Sequence, residues 1–487
     1  MNIFFGTDGW RALLDKEINT TSVAVVAQAF AEYVLQEGGE SPSVAVGYDS
    51  RRCSGEFAAV FARVLAGNGI EVLLSDRIVP TPVLSFTVTD RHCFAGVMVT
   101  ASHNPPRYNG IKFKAAYGGP FSLDQTKAVE ALLYRTEPVL SPESPKTVNL
   151  LPAYVAHVES RIDFAAIRKA GVRPLVDSMG GAGGTLLQEI LEKNGCPADT
   201  VYGSPSEDFS GRLPEPIASN LSPLGEALAS APGVYSIGLA TDGDADRLGV
   251  CLETGPFLSA QTTILLLVDY LKRVRRLPGA IVHTSSVTGL LRKHFLSPET
   301  PVYDVQVGFK YITDIMVRET VCFGGEESGG FGYAIHLPER DGIFSGLLFL
   351  EMLSESGFST LSAYVEEREK VLGKPHYART DVVCDRPDRT ALLPRLHAAA
   401  LSSVAGFPVV SEQTFLSSRG IVNGIKYILE GDCRWLLIRA SETESIVRYY
   451  AEGQDDAEVQ RLLSAGPALL SSEQGIPSET VALRPLP

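Results

Sequence analysis

A serine and an imidazole stand side by side, as Ser102 and His103, in the run Thr-Ala-Ser-His-Asn-Pro at residues 100–105. Serine is a weak nucleophile, so covalent catalysis needs a base, a metal ion, or a serine that already carries the transferable group. The run is not a hydrolase elbow, because Thr100 and Asn104 stand where Gly-x-Ser-x-Gly has glycines. From this segment alone, a serine that caps a turn before two prolines is an equal alternative.

Three aspartates alternate in the run Thr-Asp-Gly-Asp-Ala-Asp-Arg at 241–247, directly after an apolar stretch. Asp242, Asp244 and Asp246 offer oxygen ligands, which suit magnesium, manganese or calcium better than zinc. The spacing also fits part of an EF-hand, but Arg247 stands where that loop needs glycine, and the flanks resemble strands. The pattern favours a metal site over the remaining alternative, a solvated acidic turn.

Two acids and a hydroxyl lie on a glycine frame in the run Gly-Gly-Glu-Glu-Ser-Gly-Gly at 324–330. The two carboxylates, of Glu326 and Glu327, and the hydroxyl of Ser328 offer acceptors for sugar hydroxyls, and glycine lets a backbone approach a ligand closely. The run is weakly specific by itself and also fits a surface turn.

A fourth run, Arg-Ala-Ser-Glu-Thr-Glu-Ser at 439–445, follows an apolar strand and precedes Arg448. Hydroxyl groups that follow an arginine in sequence can hydrogen-bond to a phosphate, and one guanidinium can bind two phosphate oxygens. A turn with a surface arginine explains the run equally well. Further candidates for a basic pocket are Arg11, Lys112, Arg247 and Lys310.

Secondary structure must position these groups. Over about the first three quarters of the chain, short apolar stretches typical of strands alternate with stretches typical of helices, which predicts an α/β fold. Ligands bind outside the carboxyl ends of parallel strands, so the loops at 100–109, 242–247 and 324–330 are expected to face one cleft. The last segment predicts antiparallel hairpins with helices, and a loose tail from about residue 471. The expected strands are 43–48, 70–74, 96–99, 174–176, 237–240, 280–283 and 321–323.

Prolines and polar residues divide the 487 residues into four predicted domains. Three α/β domains would carry the serine loop, the aspartate loop and the glycine-rich loop, and a smaller α+β domain would carry the arginine loop and the tail. Their expected bounds are 1–146, 147–254, 255–373 and 374–487.

The bulk properties exclude several function classes. A net charge of −14 disfavours nucleic acids and anionic membranes as partners. The apolar stretches are too short to cross a bilayer, and the first residues lack the features of a secretory signal. The seven cysteines are scattered without a Cys-x-x-Cys pair, which indicates a reduced, cytoplasmic protein.

Taken in order, the four runs resemble the motifs of the α-D-phosphohexomutase superfamily, and its phosphoglucomutase branch most closely. The run Gly-Thr-Asp-Gly-Trp-Arg at 6–11 completes the set. The resemblance spans essentially the whole chain apart from the tail. It implies four domains around a central cleft: three similar α/β units with mixed or mostly parallel sheets, and a smaller C-terminal α+β domain.

The resemblance also implies a reaction. Phosphorylated Ser102 would donate its phosphoryl group to a hexose monophosphate, and the hexose 1,6-bisphosphate would return its other phosphate, interconverting glucose 1-phosphate and glucose 6-phosphate. One Mg²⁺ would be held by Ser102, Asp242, Asp244 and Asp246. Lys112, with Arg11 and His103 nearby, is the candidate for proton transfer. The implied substrate contacts are Arg247, Gly308, Lys310, Glu326, Ser328, Arg439, Ser441, Thr443 and Arg448.

Two departures from the family pattern bear on the substrate. Glu442 stands where the family's phosphate loop usually has glycine, so its carboxylate is expected to point away. Gly330 stands where mannose-tolerant members tend to carry histidine, which favours glucose. The alternatives are a dual glucose/mannose mutase, a phosphoglucosamine mutase, a metal-dependent phosphatase and a non-catalytic sugar-phosphate binder. The expected partners are small hexose phosphates, with a monomer or a small homo-oligomer as the assembly.

Overall fold

The computed structural model describes residues 3–6, 8–143, 145–386, 388–417, 420–441 and 445–472. The expected tail beyond 472, Glu442 and Thr443 therefore lie outside the described residues. The chain divides into two compact units. The first unit comprises Met1–Val282, Glu299–Tyr303 and Gly308–Arg368, and the second comprises His283–Pro298, Asp304–Val307 and Glu369–Pro487.

The first sheet has the strand order β1-β5-β4-β2-β3-β6 and is mixed. Its strands β2, β3, β4 and β6 pair in parallel, whereas β5 runs antiparallel to β4 and to β1. The strands are β1 (Trp10–Leu13), β2 (Ser43–Tyr48), β3 (Glu71–Ser75), β4 (Ala95–Val99), β5 (Tyr108–Ala115) and β6 (Thr147–Val148). The helices are α1 (Thr20–Glu37), α2 (Ser54–Gly67), α3 (Thr81–Asp90) and α4 (Leu123–Glu130).

The second sheet repeats this plan with the order β11-β10-β9-β7-β8. Strand β7 pairs in parallel with β8 and β9, and β10 runs antiparallel to β9 and β11. The helices are α5 (Leu151–Glu159), α6 (Phe164–Ala170), α7 (Leu186–Lys193) and α8 (Ser222–Ala229). The strands are β7 (Pro174–Asp177), β8 (Asp199–Val201), β9 (Ile237–Thr241), β10 (Leu248–Leu252) and β11 (Phe257–Leu258).

The third sheet has the order β13-β12-β14-β15, with β14 and β15 antiparallel. Its strands are β12 (Ala280–Thr284), β13 (Val302–Val305), β14 (Val321–Gly325) and β15 (Phe331–Tyr333). The helices are α9 (Ala260–Asp269), which a π-helical turn continues, α10 (Leu290–Phe295), α11 (Phe309–Met316), α12 (Gly342–Glu355) and α13 (Leu361–Leu372).

The fourth sheet has the order β16-β21-β20-β19-β18-β17, and each neighbouring pair is antiparallel. The antiparallel hairpins expected for the last segment are thereby confirmed. The strands are β16 (His376–Val383), β17 (Ser403–Val404), β18 (Phe407–Leu416), β19 (Val422–Leu429), β20 (Trp435–Ala440) and β21 (Ile446–Gly453), and the helices are α14 (Arg389–Ala398) and α15 (Asp456–Ser472).

Strands β4, β9 and β14 are buried along their whole length, which explains why their sequences are apolar apart from Thr241 at the end of β9. Strand β5 behaves differently, because its residues alternate between two faces. Phe113 packs into the core, where its ring stacks on Phe30 with centroids 4.5 Å apart. The alternation places Lys112 and Lys114 together on the opposite face. Within the described residues, no helix combines the length and apolarity needed to span a membrane.

Candidate active site

The serine, aspartate and glycine-rich runs are loops of one kind. Each follows a buried strand and leads into an antiparallel partner: β4 into β5, β9 into β10, and β14 into β15. Strands β4 and β9 also have a parallel neighbour on their other side. The expected position at the carboxyl ends of sheet strands is confirmed, but the loops close hairpins and do not lead into helices.

Ser102 lies buried in the β4–β5 loop, with its side chain aimed at the aspartate loop. Its hydroxyl donates a 3.0 Å hydrogen bond to Asp242 Oδ2. His103 Nδ1 lies 3.5 Å from the same hydroxyl oxygen. Burial lowers the pKa of His103 well below its usual value, and neighbouring cations such as Arg247 and Arg11 lower it further. The imidazole is therefore neutral at physiological pH.

Asp242, Asp244 and Asp246 are fully buried, and one carboxylate oxygen of each lies within 4.8 Å of the others. Oδ1 of Asp244 and Oδ1 of Asp246 have no hydrogen-bond partner among the residues that the structure describes. Burial raises the pKa of Asp242 well above its usual value, and repulsion from Asp246 and Asp244 adds to the rise. Three buried carboxylates with unused oxygens fit a hard divalent cation.

Lys112 reaches this cluster from β5. Its ammonium lies 2.8 Å from Asp244 Oδ2, 3.0 Å from Asp246 Oδ2 and 3.1 Å from Asp8 Oδ2. Burial by itself would lower the pKa of Lys112, but the three carboxylates outweigh it and hold the pKa above its usual value. Lys112 is thus a fixed positive charge that orients the aspartates and leaves the Oδ1 atoms of Asp244 and Asp246 available.

A second buried cation, Arg340, ties the aspartate loop to the glycine-rich loop. Its guanidinium lies 2.6 Å from Asp8 Oδ2, 2.8 Å from Asp246 Oδ2 and 3.4 Å from Glu326 Oε2. Burial raises the pKa of Glu326 to about 7. Glu326 therefore changes its charge near neutral pH.

The glycine-rich loop docks on the aspartate loop through its backbone. The Leu248 N–H donates to the Gly329 carbonyl at 2.9 Å, and Arg247 and Gly330 form an isolated β-bridge. Gly329 has φ +88°, and a Cβ on it would lie 2.5 Å from the Leu248 carbonyl oxygen. Glycine is required there, because any side chain would both strain the backbone and push the two loops apart.

Comparison with known proteins identifies the architecture. Family models described as phosphoglucomutase/phosphomannomutase α/β/α domains I, II and III match residues 2–139, 152–255 and 259–371, and the model of the C-terminal domain of that family matches 382–465. The chain belongs to the phosphoglucomutase/phosphomannomutase family. Members of this family are phosphohexomutases, which are isomerase-type phosphotransferases that are generally metal-dependent, so the protein is an enzyme of that class.

Relatives within the family carry different sugar names. A Komagataeibacter xylinus phosphoglucomutase is 29% identical over 92% of this chain and 87% of its own length. A Sulfurisphaera tokodaii phosphoglucosamine/phosphogalactosamine mutase is 28% identical over 95% of this chain and 98% of its own. The crystal structure of a Thermus thermophilus protein described as a phosphomannomutase has a TM-score of 0.82 and 34% identity, covering 96% and 99% of the two chains. The substrates of the family are sugar phosphates.

Two residues of this candidate site, Asp8 and Arg340, are not predicted from the sequence. Asp8 stands inside the 6–11 run, from which only Arg11 was selected. Arg11 itself donates to Asn104 Oδ1 at 2.9 Å and lies 3.9 Å from Asp8 Oδ2. Arg340 belongs to no run selected from the sequence. The signal that could have found it is the charged triplet Glu-Arg-Asp at 339–341, which stands between a proline and the buried helix α12.

Other expected site residues of the first unit lie as follows. Arg247 is 7% exposed, and its Nη1 lies 3.2 Å from Glu215 Oε1. Ser328 is half-buried in the glycine-rich loop. Gly308 precedes α11 with φ +133°, and Lys310 lies in the first turn of that helix with its Nζ 5.1 Å from the Tyr311 ring centroid. The substrate contacts expected of these residues remain predictions.

In the second unit, two expected arginines lie directly opposite each other on neighbouring strands. Arg439 of β20 pairs in register with Arg448 of β21. Arg448 Nε lies 3.2 Å from Asp381 Oδ2, and Arg439 Nε is buried without a hydrogen-bond partner among the described residues. Ser441 is 7% exposed, and its N–H donates to the Ile446 carbonyl. Arginines at opposite positions of neighbouring strands, with a serine two residues after one of them, could supply donors to an anionic oxygen ligand.

Proposed function

We propose that this phosphohexomutase is a phosphoglucomutase, which interconverts glucose 1-phosphate and glucose 6-phosphate through phosphorylated Ser102 and a glucose 1,6-bisphosphate intermediate. One observation carries the proposal: the buried Ser102 hydroxyl lies 3.0 Å from Asp242, the first aspartate of the carboxylate cluster. Phosphoryl transfer depends on positioning and on offsetting charge, and a carrier hydroxyl beside a cation-binding cluster meets both needs.

The donor set favours one Mg²⁺, held by Asp242, Asp244, Asp246 and an oxygen of the phosphorylated Ser102. The carboxylate oxygens without partners support this, because Mg²⁺ prefers hard oxygen ligands. When bound, the ion would withdraw negative charge from the transferring phosphoryl group.

In the proposed reaction the Oγ–P bond of phosphorylated Ser102 breaks while a bond forms between phosphorus and a hydroxyl oxygen of the hexose monophosphate, and the proton of that hydroxyl ends on Ser102 Oγ. In the return step, the other phosphoryl group of the bisphosphate passes to Ser102 Oγ, its bond to the sugar oxygen breaks, and the proton that the serine loses ends on that sugar oxygen. The neutral His103 imidazole, 3.5 Å from Oγ, can accept that proton. The geometry supports His103 over Lys112 for this step, because the carboxylates hold Lys112 in its charged form.

The remaining assignments concern the two ends of the substrate. Glu326 and Ser328 would accept hydrogen bonds from sugar hydroxyls, and Arg11, Arg247, Gly308 and Lys310 would line the positive pocket around the sugar phosphate. The phosphate that does not react would be bound by Arg439, Ser441, Thr443 and Arg448.

The preference for glucose rests on Gly330. A Cβ at this position would lie 2.3 Å from Arg340 Cδ, so Arg340 fills the space into which a larger residue 330 would extend. The family resemblance associates histidine at this position with tolerance of mannose. Mannose 1-phosphate and glucosamine 1-phosphate are therefore the alternative substrates.

A coupled assay of the three hexose 1-phosphates, with Mg²⁺ and glucose 1,6-bisphosphate, tests this proposal. We expect kcat/KM for glucose 1-phosphate to exceed the other two by at least about tenfold, a difference of about 1.4 kcal/mol in transition-state binding. Equal or reversed ratios would contradict the glucose assignment. Release of inorganic phosphate without isomerisation would instead indicate a phosphatase.

The metal assignment needs its own variants. Asp244→Asn is expected to remove activity at every Mg²⁺ concentration, while Asp124→Asn, which alters an exposed aspartate of α4, should match the wild type. Full wild-type activity in the presence of a chelator would refute the assignment.

A further inference from the structure

The backbone of Ser102 is held in a conformation that serine rarely adopts. Its φ is +52°, in the left-handed region, where a residue with a Cβ costs roughly 1 kcal/mol or more. Such a conformation persists only where the surroundings enforce it. The hydrogen bonds to the Ser102 backbone show what enforces it here.

Arg51 donates hydrogen bonds to four backbone carbonyl groups between residues 102 and 108. One of its terminal nitrogens, Nη2, donates to the carbonyls of Ser102 and Asn104, both at 2.6 Å. The other, Nη1, donates to the carbonyls of Pro105 at 2.9 Å and Tyr108 at 3.0 Å. The Arg51 side chain has no exposed surface. A planar guanidinium with several fixed donors can bind carbonyls in this way, whereas an ammonium on a flexible stem cannot reproduce the geometry.

Asp49 completes the arrangement from the other side of Ser102. Its Oδ2 lies 3.2 Å from Arg51 Nε and accepts a 2.6 Å hydrogen bond from the Thr100 hydroxyl. The Thr100 hydroxyl oxygen in turn accepts from the Ser102 N–H at 2.8 Å. The carbonyl of Ser102 is therefore bound directly by Arg51, and its N–H is bound through Thr100 to the aspartate that pairs with Arg51.

The space around the Ser102 carbonyl leaves little room for the loop to relax. The Arg51 guanidinium lies 4.6 Å from the centroid of the Phe209 ring. A Cβ on Gly243, in the aspartate loop, would lie 2.5 Å from the Ser102 carbonyl oxygen. A change in the Ser102 backbone would therefore also displace the aspartate loop, to which the Ser102 hydroxyl donates.

We propose that Arg51 and Asp49 are positioning residues for phosphoryl transfer, which hold the Ser102 backbone in its left-handed conformation so that Oγ stays aligned with Asp242. This inference rests on the proposed function, since it assigns to Arg51 and Asp49 the alignment of a phosphoryl carrier. Neither side chain needs to touch the sugar. Their loss should slow the chemical step and leave substrate affinity unchanged.

Arg51→Lys is the decisive variant, because it keeps the positive charge and loses the fixed donors. We expect kcat to fall by roughly tenfold to a hundredfold with KM for the hexose phosphate unchanged. Single-turnover transfer from phosphorylated Ser102 to glucose 1-phosphate should slow by the same factor. Arg52→Lys is the matched control, because this exposed neighbour pairs only with Asp15 in the described structure and should leave both constants unchanged.

A second pair of variants keeps the test valid if Arg51→Lys does not fold. Thr100→Val removes the hydroxyl that links Ser102 to Asp49 and should lower kcat with little change in KM, while Thr100→Ser should restore most of the rate. Wild-type kcat in Arg51→Lys, or equal rates for Thr100→Val and Thr100→Ser, would overturn the inference. A wild-type enzyme without phosphate on Ser102 would instead refute the proposed function, so the two failures are distinguishable.

Discussion

Gly330 lies directly beneath the side chain of Arg340. A Cβ at residue 330 would lie 2.3 Å from Arg340 Cδ and 3.0 Å from its Cγ. Arg340 can therefore reach Asp8 and Asp246 only because residue 330 has no side chain. The identity of residue 330 in one hairpin is thus linked to an ion pair with the aspartate loop of another.

Gly330→Ala tests this link. The new methyl group should displace Arg340 from Asp246, and we expect kcat/KM to fall about tenfold. In a double-mutant cycle, adding Gly330→Ala to Arg340→Ala should cost little more, which gives a coupling of about 1 kcal/mol. Gly55→Ala is the control, because its Cβ would meet Tyr48 at an ordinary 3.4 Å. Additive effects of the two substitutions would contradict the link.

Glu326 predicts a pH dependence of stability. Burial raises its pKa from the ordinary 4.5 to about 7, so the folded state binds this proton more tightly than the unfolded state. The contribution of this proton to the unfolding free energy is complete below about pH 4.5 and is lost as pH rises towards 7. The loss is at most roughly 3 kcal/mol. Glutamine does not titrate, so Glu326→Gln does not suffer this loss of unfolding free energy. The variant should therefore become more stable relative to the wild type as pH rises over this range.

Thermal unfolding in chelator, between pH 4.5 and 7.5, measures the difference. We expect the Tm of the wild type minus that of Glu326→Gln to decrease steadily with rising pH. The same difference for Glu299→Gln, at an exposed position, should stay flat. A difference that increases with pH for Glu326→Gln would show that the folded state prefers the charged carboxylate.

The buried pair Lys114 and Glu339 should be costly to break. Their charged atoms lie 2.5 Å apart with no exposed surface on either side chain. Glu339→Gln leaves a buried ammonium without its counter-charge, and we expect a loss of about 3 to 5 kcal/mol in unfolding free energy. The double variant Lys114→Met/Glu339→Met should lower the unfolding free energy by less than Glu339→Gln does, because it leaves no buried charge unpaired.

Denaturant unfolding provides the comparison, with the partly exposed pair Lys193 and Glu159, 2.8 Å apart, as the control. Glu159→Gln should cost less than about 1 kcal/mol. A similarly small cost for Glu339→Gln would mean that Lys114 finds another partner or is neutral.

The sequence was informative where chemistry is local. The aspartates of 241–247 were recognisable as a candidate metal site because three carboxylates follow one buried strand. Strands β4 and β9 were recognisable from their apolar runs, because both faces of each strand are covered. In each case the informative residues are neighbours along the chain.

Contacts between distant segments could not be predicted in this way. Arg340 lies far along the chain from Asp8 and Asp246, and only the packing of three separate segments brings its guanidinium to both carboxylates. Arg51 looked like one of many arginines, because its acceptors are backbone carbonyls, which leave no mark in the sequence. The left-handed backbone of Ser102 was equally invisible.

Transfer of a labelled phosphoryl group to Ser102 tests the central claim most directly. The wild type, Ser102→Ala and the control Ser160→Ala would each be incubated with labelled glucose 1,6-bisphosphate and Mg²⁺, digested and mapped. We expect label only in the peptide that contains Ser102, chased off by glucose 1-phosphate, and Ser102→Ala that is folded, unlabelled and inactive. Label on another residue, or appreciable isomerisation by Ser102→Ala, would contradict the account.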